Sequence, residues 1–224
     1  MTRPPFTPFD PQYFNSDGGV SRETRDALKK YEISLVRWQK AVNLVGSSTM
    51  QHVWHRHFLD SAQLVPLIPA KADGTPTVIL DIGSGGGFPG LVLAVLAATS
   101  ALGMPAIKVH LVEANTRKCA FLKEVARASG AQAVIHRTRL ENLSPFPVDV
   151  VTARAFAPLP RLLMQANRFF NQTDCRPLGL FLKGKGVDEE LTEARKQWKM
   201  RVEAIASVTD PEGVILRVED IVLG

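Results

Sequence analysis

Cysteine is scarce: two occur in 224 residues, Cys119 and Cys175. They are far apart in sequence, so no disulfide framework is expected and each reads as a small packed residue, Cys119 on a predicted helix face. No apolar run reaches membrane-spanning length, and the opening MTRPPFTPFDPQYF has no apolar signal core. A cytoplasmic location, with no membrane partner, is the expectation. No Lys/Arg run resembles a nuclear address or a basic arm, and the net charge of +5 is spread along the chain. That excess favours a polyanionic partner, but any basic patch must be assembled by folding. Metal-ligand spacing is missing too. His52, His55 and His57 have no supporting Cys or carboxylate cluster, and His55 and His57 point to different sides of a helix, so no metal is expected. There is no internal repeat or low-complexity tract, and the length suits one domain with a small appendage.

What is present is concentrated in one stretch. Val78-Ile79-Leu80-Asp81-Ile82 is the kind of apolar run found in a strand buried on both faces. It breaks into Gly83-Ser84-Gly85-Gly86-Gly87-Phe88-Pro89-Gly90, a run no strand or helix interior would choose, and Pro89 sits where a new helix would begin. Strand, tight turn and helix bring bare backbone and a helix N-terminus up to a ligand. Two registers fit. Gly85-x-Gly87-x-x-Gly90 matches the dinucleotide fingerprint, with Glu113 at about the spacing of a ribose-binding acid. Gly83-x-Gly85-x-Gly87 matches the turn of the S-adenosyl-L-methionine (SAM) methyltransferases. Asp81 favours the second. A carboxylate inside so apolar a strand is costly unless paired. At the strand's end it could reach a cofactor's charged amino-acid end, directly or through water, whereas beside a pyrophosphate it would repel.

Residues 1–20 read as an irregular N-terminal arm. Ser21 caps a helix whose Leu28, Tyr31, Leu35, Trp38 and Val42 form a buried face ending near Asn43–Gly46. Thr49 is placed to cap a second helix carrying Val53, Trp54, Phe58, Leu59 and Leu64, stopped by Pro66 and Pro69. On it Arg56, His57 and Asp60 can share a face, either as a local ion pair or as a polar cluster turned toward cofactor or substrate. Residues 21–70 thus form a helical cap, and residues 77–224 a core. In the core, strands are expected at 78–82, 107–112 (ending in Glu113), 133–136, 148–152 (running into Arg154) and 178–182 (ending in Lys183-Gly184-Lys185). Helices are expected at 91–98, 116–129, 159–170 and 188–200, and a closing hairpin at 201–208 and 214–222. This pattern argues an α/β fold: a mostly parallel, seven-stranded Rossmann-like sheet with a reversed strand at one edge and the N-terminal helices laid on top. Ligands bind outside the carboxyl ends of such strands, which gathers Asp81, the glycine loop, Glu113, the 137–142 loop, Arg154 and Lys183–Lys185.

The chemistry is narrowed by what is not there. The turn after the fourth strand is Ala153-Arg154-Ala155-Phe156, not the Asn/Asp-Pro-Pro-aromatic turn of exocyclic-amine methylation. Neither cysteine sits at a strand end as cytosine C5 chemistry requires, and no general-base constellation suited to hydroxyl methylation stands out. A ring nitrogen with a free lone pair, such as guanine N7, loses no proton on methylation and needs positioning alone. Arg154 could contact a guanine acceptor edge, a phosphate or the cofactor. An NAD-dependent oxidoreductase using the other glycine register, and a non-catalytic ribosome-assembly factor, remain the alternatives.

Trp38 through Asn43-Leu44, Arg56-His57-Phe58-Leu59-Asp60-Ser61, the glycine stretch, Val112-Glu113 with Lys118 and Phe121-Leu122, Arg154-Ala155 and Lys183-Gly184 together resemble the bacterial small-subunit ribosomal RNA methyltransferase G family, also called glucose-inhibited division protein B. The resemblance implies a class I SAM-dependent methyltransferase fold, acting on guanine N7 in the decoding-region loop of 16S ribosomal RNA without a covalent protein intermediate. It implies SAM contacts at Gly83 and Phe88, with Ser84, Gly85 and Gly87 in the same loop, at Leu140 and Glu141 beside the adenine, and at Arg154, which is also the catalytic candidate. Asp81 and Glu113 complete the cofactor set. Arg56, His57, Lys183 and Lys185 are the RNA-facing expectations, the partner is 16S rRNA or the small subunit, and a monomer is expected. The chain departs from the family in its long N-terminal arm, an extended connection at residues 99–106 and Val45 where Thr is usual.

Overall fold

The apolar run becomes the central strand of a seven-stranded sheet. The computed structural model describes residues 20–171 and 176–224, so the expected N-terminal arm, up to residue 19, and Cys175 lie outside the described residues. The strands are β1 (Thr77–Ile82), β2 (Ile107–Glu113), β3 (Ala133–Arg137), β4 (Val150–Arg154), β5 (Leu178–Lys183), β6 (Trp198–Ala206) and β7 (Val214–Leu223), in the order β3-β2-β1-β4-β5-β7-β6. The first five pair in parallel; β7 runs antiparallel to both β5 and β6, so the reversed strand is inserted one place in from the edge. The order switches direction between β1 and its neighbour β4, and ligands bind in the crevice at that point.

Helix α1 (Arg22–Gln39) starts where the Ser21 side chain accepts the Thr24 N–H at 3.2 Å. It buries Ala27, Leu28, Tyr31 and Leu35 against the sheet side that also carries α3 (Gly90–Ala98) and α4 (Thr116–Ser129). Trp38 Nε1 and Arg37 both reach Glu124 on α4. The apolar cluster on this face is continuous from Ala27 through Ile68 to Val125, so the N-terminal segment and the sheet share one core. The other face is covered by α5 (Leu159–Phe170) and α6 (Val187–Ala194) over Leu80, Val151, Phe181 and Leu216. Cys119 is a buried free thiol on α4, the packed residue expected. Among the described residues no helix is long and apolar enough to cross a membrane.

Two expected helices take other forms. The charged helix over 188–200 ends at Ala194, and Trp198 opens β6, paired to Leu223. Leu191, Ala194 and Trp198 suit a helix face, but Trp198 and Met200 also suit the alternation of a strand, and pairing along β7 decides it. The second cap helix is not a regular α-helix. It winds as a 3₁₀ turn (Ser47–His52), a π-helical turn (Trp54–Leu59), α2 (Asp60–Ala62) and a further 3₁₀ turn (Val65–Leu67) that contains Pro66. Thr49 caps nothing; its hydroxyl donates to Gly46 O at 2.7 Å. The wider winding lets the Arg56 carbonyl accept a side chain from β4, and such π turns recur at functional sites.

Candidate active site

The carboxyl ends of β1, β4 and β5, the 43–60 segment and the β6–β7 turn enclose a cavity of about 770 Å³. Its floor is the glycine loop. Gly83, Gly85 and Gly87 have φ of 66°, 53° and 87°, a left-handed conformation that glycine alone adopts without strain. The three glycines of the second register are therefore the ones the turn requires. Gly90 serves packing instead: a Cβ there would lie 2.6 Å from both Asp81 Cβ and Leu111 Cδ2. The loop is pinned from both sides. Tyr31 donates to Gly86 O at 2.5 Å, and burial pushes the phenol well above its ordinary pKa, keeping it a donor. Glu113 accepts Gly85 N–H at 3.0 Å with one oxygen and Asn115 N–H at 2.7 Å with the other.

Asp81 lies beneath the loop with no exposed surface. One oxygen accepts the Thr152 hydroxyl at 2.7 Å; the other has no hydrogen-bond partner. Burial raises its carboxyl to about 6, against the opposing pull of nearby donors.

Arg154 ends β4 and is held almost entirely by the N-terminal segment. Nη1 donates to Arg56 O and to Asp60 Oδ2, each at 3.1 Å, Nη2 donates to His57 Nδ1 at 2.8 Å, and the guanidinium lies 4.7 Å from the Phe88 ring centroid. Because guanidinium only donates, His57 Nδ1 accepts, which leaves its Nε2–H to donate to Thr49 Oγ1 at 2.8 Å. Burial first, then the charges of Arg154 and Arg56, hold the imidazole pKa down at about 3, so the ring is neutral. Asp60 also accepts Thr209 Oγ1 at 2.6 Å and Gln63 Nε2 at 2.9 Å.

A family match covers residues 24–214 and is described as GidB: rRNA small subunit methyltransferase G. The Rhodospirillum rubrum ribosomal RNA small subunit methyltransferase G is 54% identical over 94% of this chain and 98% of its own length. The Rhodospirillum centenum protein of the same name is 50% identical over 98% and 95%.

The chain belongs to the rRNA small subunit methyltransferase G family.

It is thereby a SAM-dependent methyltransferase of ribosomal RNA. Solved structures agree on the fold. MtNAS in complex with MTA and tNA aligns with a TM-score of 0.54 at 13% identity over 88% of this chain and 70% of its own. A ribosomal protein L11 methylase from Lactobacillus delbrueckii subsp. bulgaricus aligns with 0.51 at 18% identity over 70% and 77%. The residues present fit a bound SAM: the left-handed glycine turn presents bare backbone to the cavity, and the unpartnered Asp81 oxygen lies beneath that turn, where a bridging water could link it to an ammonium.

The expected site positions divide. Gly83, Ser84, Gly85, Phe88 and Arg154 line the cavity with Arg56, His57 and Lys183. Gly87 and Asp81 lie behind it. Glu113, Leu140 and Glu141 are on the β2–β3 side, outside the cavity lining; Leu140 is buried, and Glu141 accepts from Gln165 at 2.8 Å. The RNA-facing expectations need correcting at two positions. His57 is 5% exposed with both ring nitrogens engaged. Lys183 is turned inward, its Nζ 2.7 Å from both Ala157 O and Glu190 Oε2. Arg56 pairs with Asp210 at 2.9 Å, and Lys185 stays at the surface. The sequence reading missed Tyr31, Thr49, Thr209 and Asp210 as parts of the site. Tyr31 is indistinguishable from a core aromatic in a helical stripe, and the hairpin-turn pair carries no local signal.

Proposed function

We propose that the chain methylates N7 of a guanine in 16S ribosomal RNA, in the decoding-region loop, by direct in-line transfer. The observation that carries this reading is the ion pairing of the cavity. Among the described residues each lining carboxylate is held by a cation: Asp60 by Arg154, Asp210 by Arg56 and Glu190 by Lys183. The one lining histidine is neutral with both nitrogens used. Nothing there is poised to remove a proton, and guanine N7 has none to remove. Cys119 is buried on α4, and burial pushes its thiol pKa up, which disfavours a cysteine adduct.

Bound SAM supplies an electrophilic methyl group on a sulfonium. The Gly83, Ser84, Gly85, Gly87 and Phe88 backbone would hold its amino-acid end, with the unpartnered Asp81 oxygen beneath the loop engaged through a bridging water. Glu113 would hold the ribose, exchanging the Gly85 N–H for hydroxyls, and Leu140 and Glu141 would flank the adenine. Arg154, fixed over Phe88, would orient the transfer. Lys118 lines the cavity with no ion-pair partner among the described residues and suits an RNA phosphate, with Lys185 and Arg56 further out. The working partner is the small ribosomal subunit or its RNA, in the cytoplasm, and the enzyme acts as a monomer. Incubation with tritiated SAM and unmodified small subunits or naked 16S RNA, followed by mapping of the modified base, tests the reading. Label at N7 of one 16S guanine supports it; label at another atom, or none, refutes it.

A further inference from the structure

Among the described residues two phenylalanines line the cavity, Phe88 and Phe156. Phe88 is already enclosed: Tyr31 stacks on it at 5.5 Å, His57 stacks at 4.8 Å, and Arg154 sits over it. It is 4% exposed and has no face to offer. Phe156 differs. It is half-buried and packs in part against the apolar cluster of the α5 face, but among the described residues no second ring or cation stacks on it. One edge of it rests on the backbone of Gly83, where a Cβ would overlap the ring.

The turn that presents Phe156 is built to hold it. Ala155 has φ 50°, a left-handed conformation strained for a residue with a Cβ. Beyond Phe156, Lys183 Nζ donates to Ala157 O at 2.7 Å, and Glu190 accepts both that Nζ and Leu159 N–H at 2.7 Å. A strained backbone fixed on its far side by a half-buried ion pair is a costly way to place a ring against a glycine loop unless the ring's position matters.

We propose that Phe156 is the platform on which the target base stacks once it is turned out of the RNA. This rests on the reading above, in which the acceptor is a nucleic-acid base. An enzyme acting on a base inside structured RNA must draw it into the pocket, and aromatic stacking is what receives it. A π-face tolerates any base, so Phe156 supplies affinity and orientation, and the choice of guanine belongs to polar groups around it.

The test compares Phe156→Leu, Phe156→Ala and Phe156→Tyr in the full-length chain, by SAM titration calorimetry and by methyl transfer from tritiated SAM to unmodified small subunits. Leucine keeps apolar volume and removes the π-face. The expected result is that leucine and alanine lower kcat/KM for the subunit by about 5- to 140-fold, the range of one base–aromatic stack. SAM affinity stays within about threefold, and tyrosine restores transfer. Wild-type transfer by the leucine variant would reduce Phe156 to packing and overturn the proposal. So would loss of SAM binding in that variant, which would make the ring part of the cofactor site. Failure of the wild-type enzyme itself to label RNA refutes the acceptor assignment instead, so the two failures are distinguishable.

Discussion

Replacing Arg154 by alanine removes the guanidinium that joins β4 to the N-terminal segment across the cavity. The Arg154 and Asp60 side chains are 17% and 15% exposed, so their pair is only weakly screened. Deleting one partner of a buried pair costs roughly 3–5 kcal/mol. Asp60 keeps the Thr209 and Gln63 donors, which puts the expectation near the low end, about 3 kcal/mol. For a chain of this size that lowers Tm by about 6–12 °C. Arg154→Ala should also cut methyl transfer at least about tenfold, or about 1.4 kcal/mol of transition-state stabilisation. Denaturant titration of Arg154→Ala, Asp60→Ala and the double variant should give a double-variant loss smaller than the sum of the singles by at least about 1 kcal/mol. A second readout is local. Burial alone would still hold the His57 pKa below its ordinary value, but the Arg154 charge adds to that. An NMR titration of Arg154→Ala should therefore show the imidazole rising from about 3 without reaching 6.5. Additive stability losses together with an unmoved His57 titration would refute the clamp.

Asp81→Ala should weaken SAM binding by calorimetry; unchanged affinity removes Asp81 from the site. Because burial raises the Asp81 carboxyl from 3.8 to about 6, SAM affinity should fall as pH drops through about 6, and the variant should lose that dependence. In the ligand-free protein the folded state keeps a proton that the unfolded chain releases between those two values, so this group's contribution to stability declines as pH rises through that window. A Tm series against pH for the wild type and Asp81→Asn checks it. Tyr31→Phe strands the buried Gly86 carbonyl, a cost of about 1–3 kcal/mol. It should raise the SAM dissociation constant while leaving kcat at saturating SAM nearly intact, as separate KM and kcat measurements would show. Gly90→Ala forces a methyl against Asp81 and Leu111 and should destabilise the fold by about 1–3 kcal/mol in a thermal melt.

Much of this fold is legible in the sequence, because parallel strands buried on both faces leave apolar runs and the helices between them leave amphipathic stripes. Val78–Ile82, Ile107–Val112 and Leu178–Leu182 fall within a residue or so of the observed strands. The cofactor floor is legible for a different reason: a left-handed turn needs glycine, so Gly83, Gly85 and Gly87 show in composition what their φ angles require. Segments whose conformation is set by distant partners were not legible. Trp198 becomes a strand because β7 lies beside it, and the π-helical turn at 54–59 presents the Arg56 carbonyl and His57 Nδ1 to an arginine far along the chain. Arg56, His57 and Asp60 were recognised as sharing a face, but the same spacing serves an RNA-facing cluster and an inward clamp equally well. Only the position of β4 separates the two.

That clamp explains why the N-terminal segment belongs to the site. Arg154 is contributed by the sheet, yet among the described residues its acceptors are Arg56 O, His57 Nδ1 and Asp60 Oδ2, all from residues 56–60. Those residues are in turn held from the far end of the chain, Arg56 by Asp210 and Asp60 by Thr209. The same N-terminal segment sends Tyr31 to the glycine loop. Three stretches distant in sequence thus converge on one guanidinium and one turn, and each is anchored by packing in a shared apolar core. In the proposed transfer positive charge passes from the sulfonium to the base, so a guanidinium fixed in this way would act by orienting acceptor and cofactor without reorganising, not by stabilising the charge that develops. If the acceptor is guanine N7, as proposed, no proton has to move, and a rigid clamp would contribute through the geometry it imposes on the two reactants.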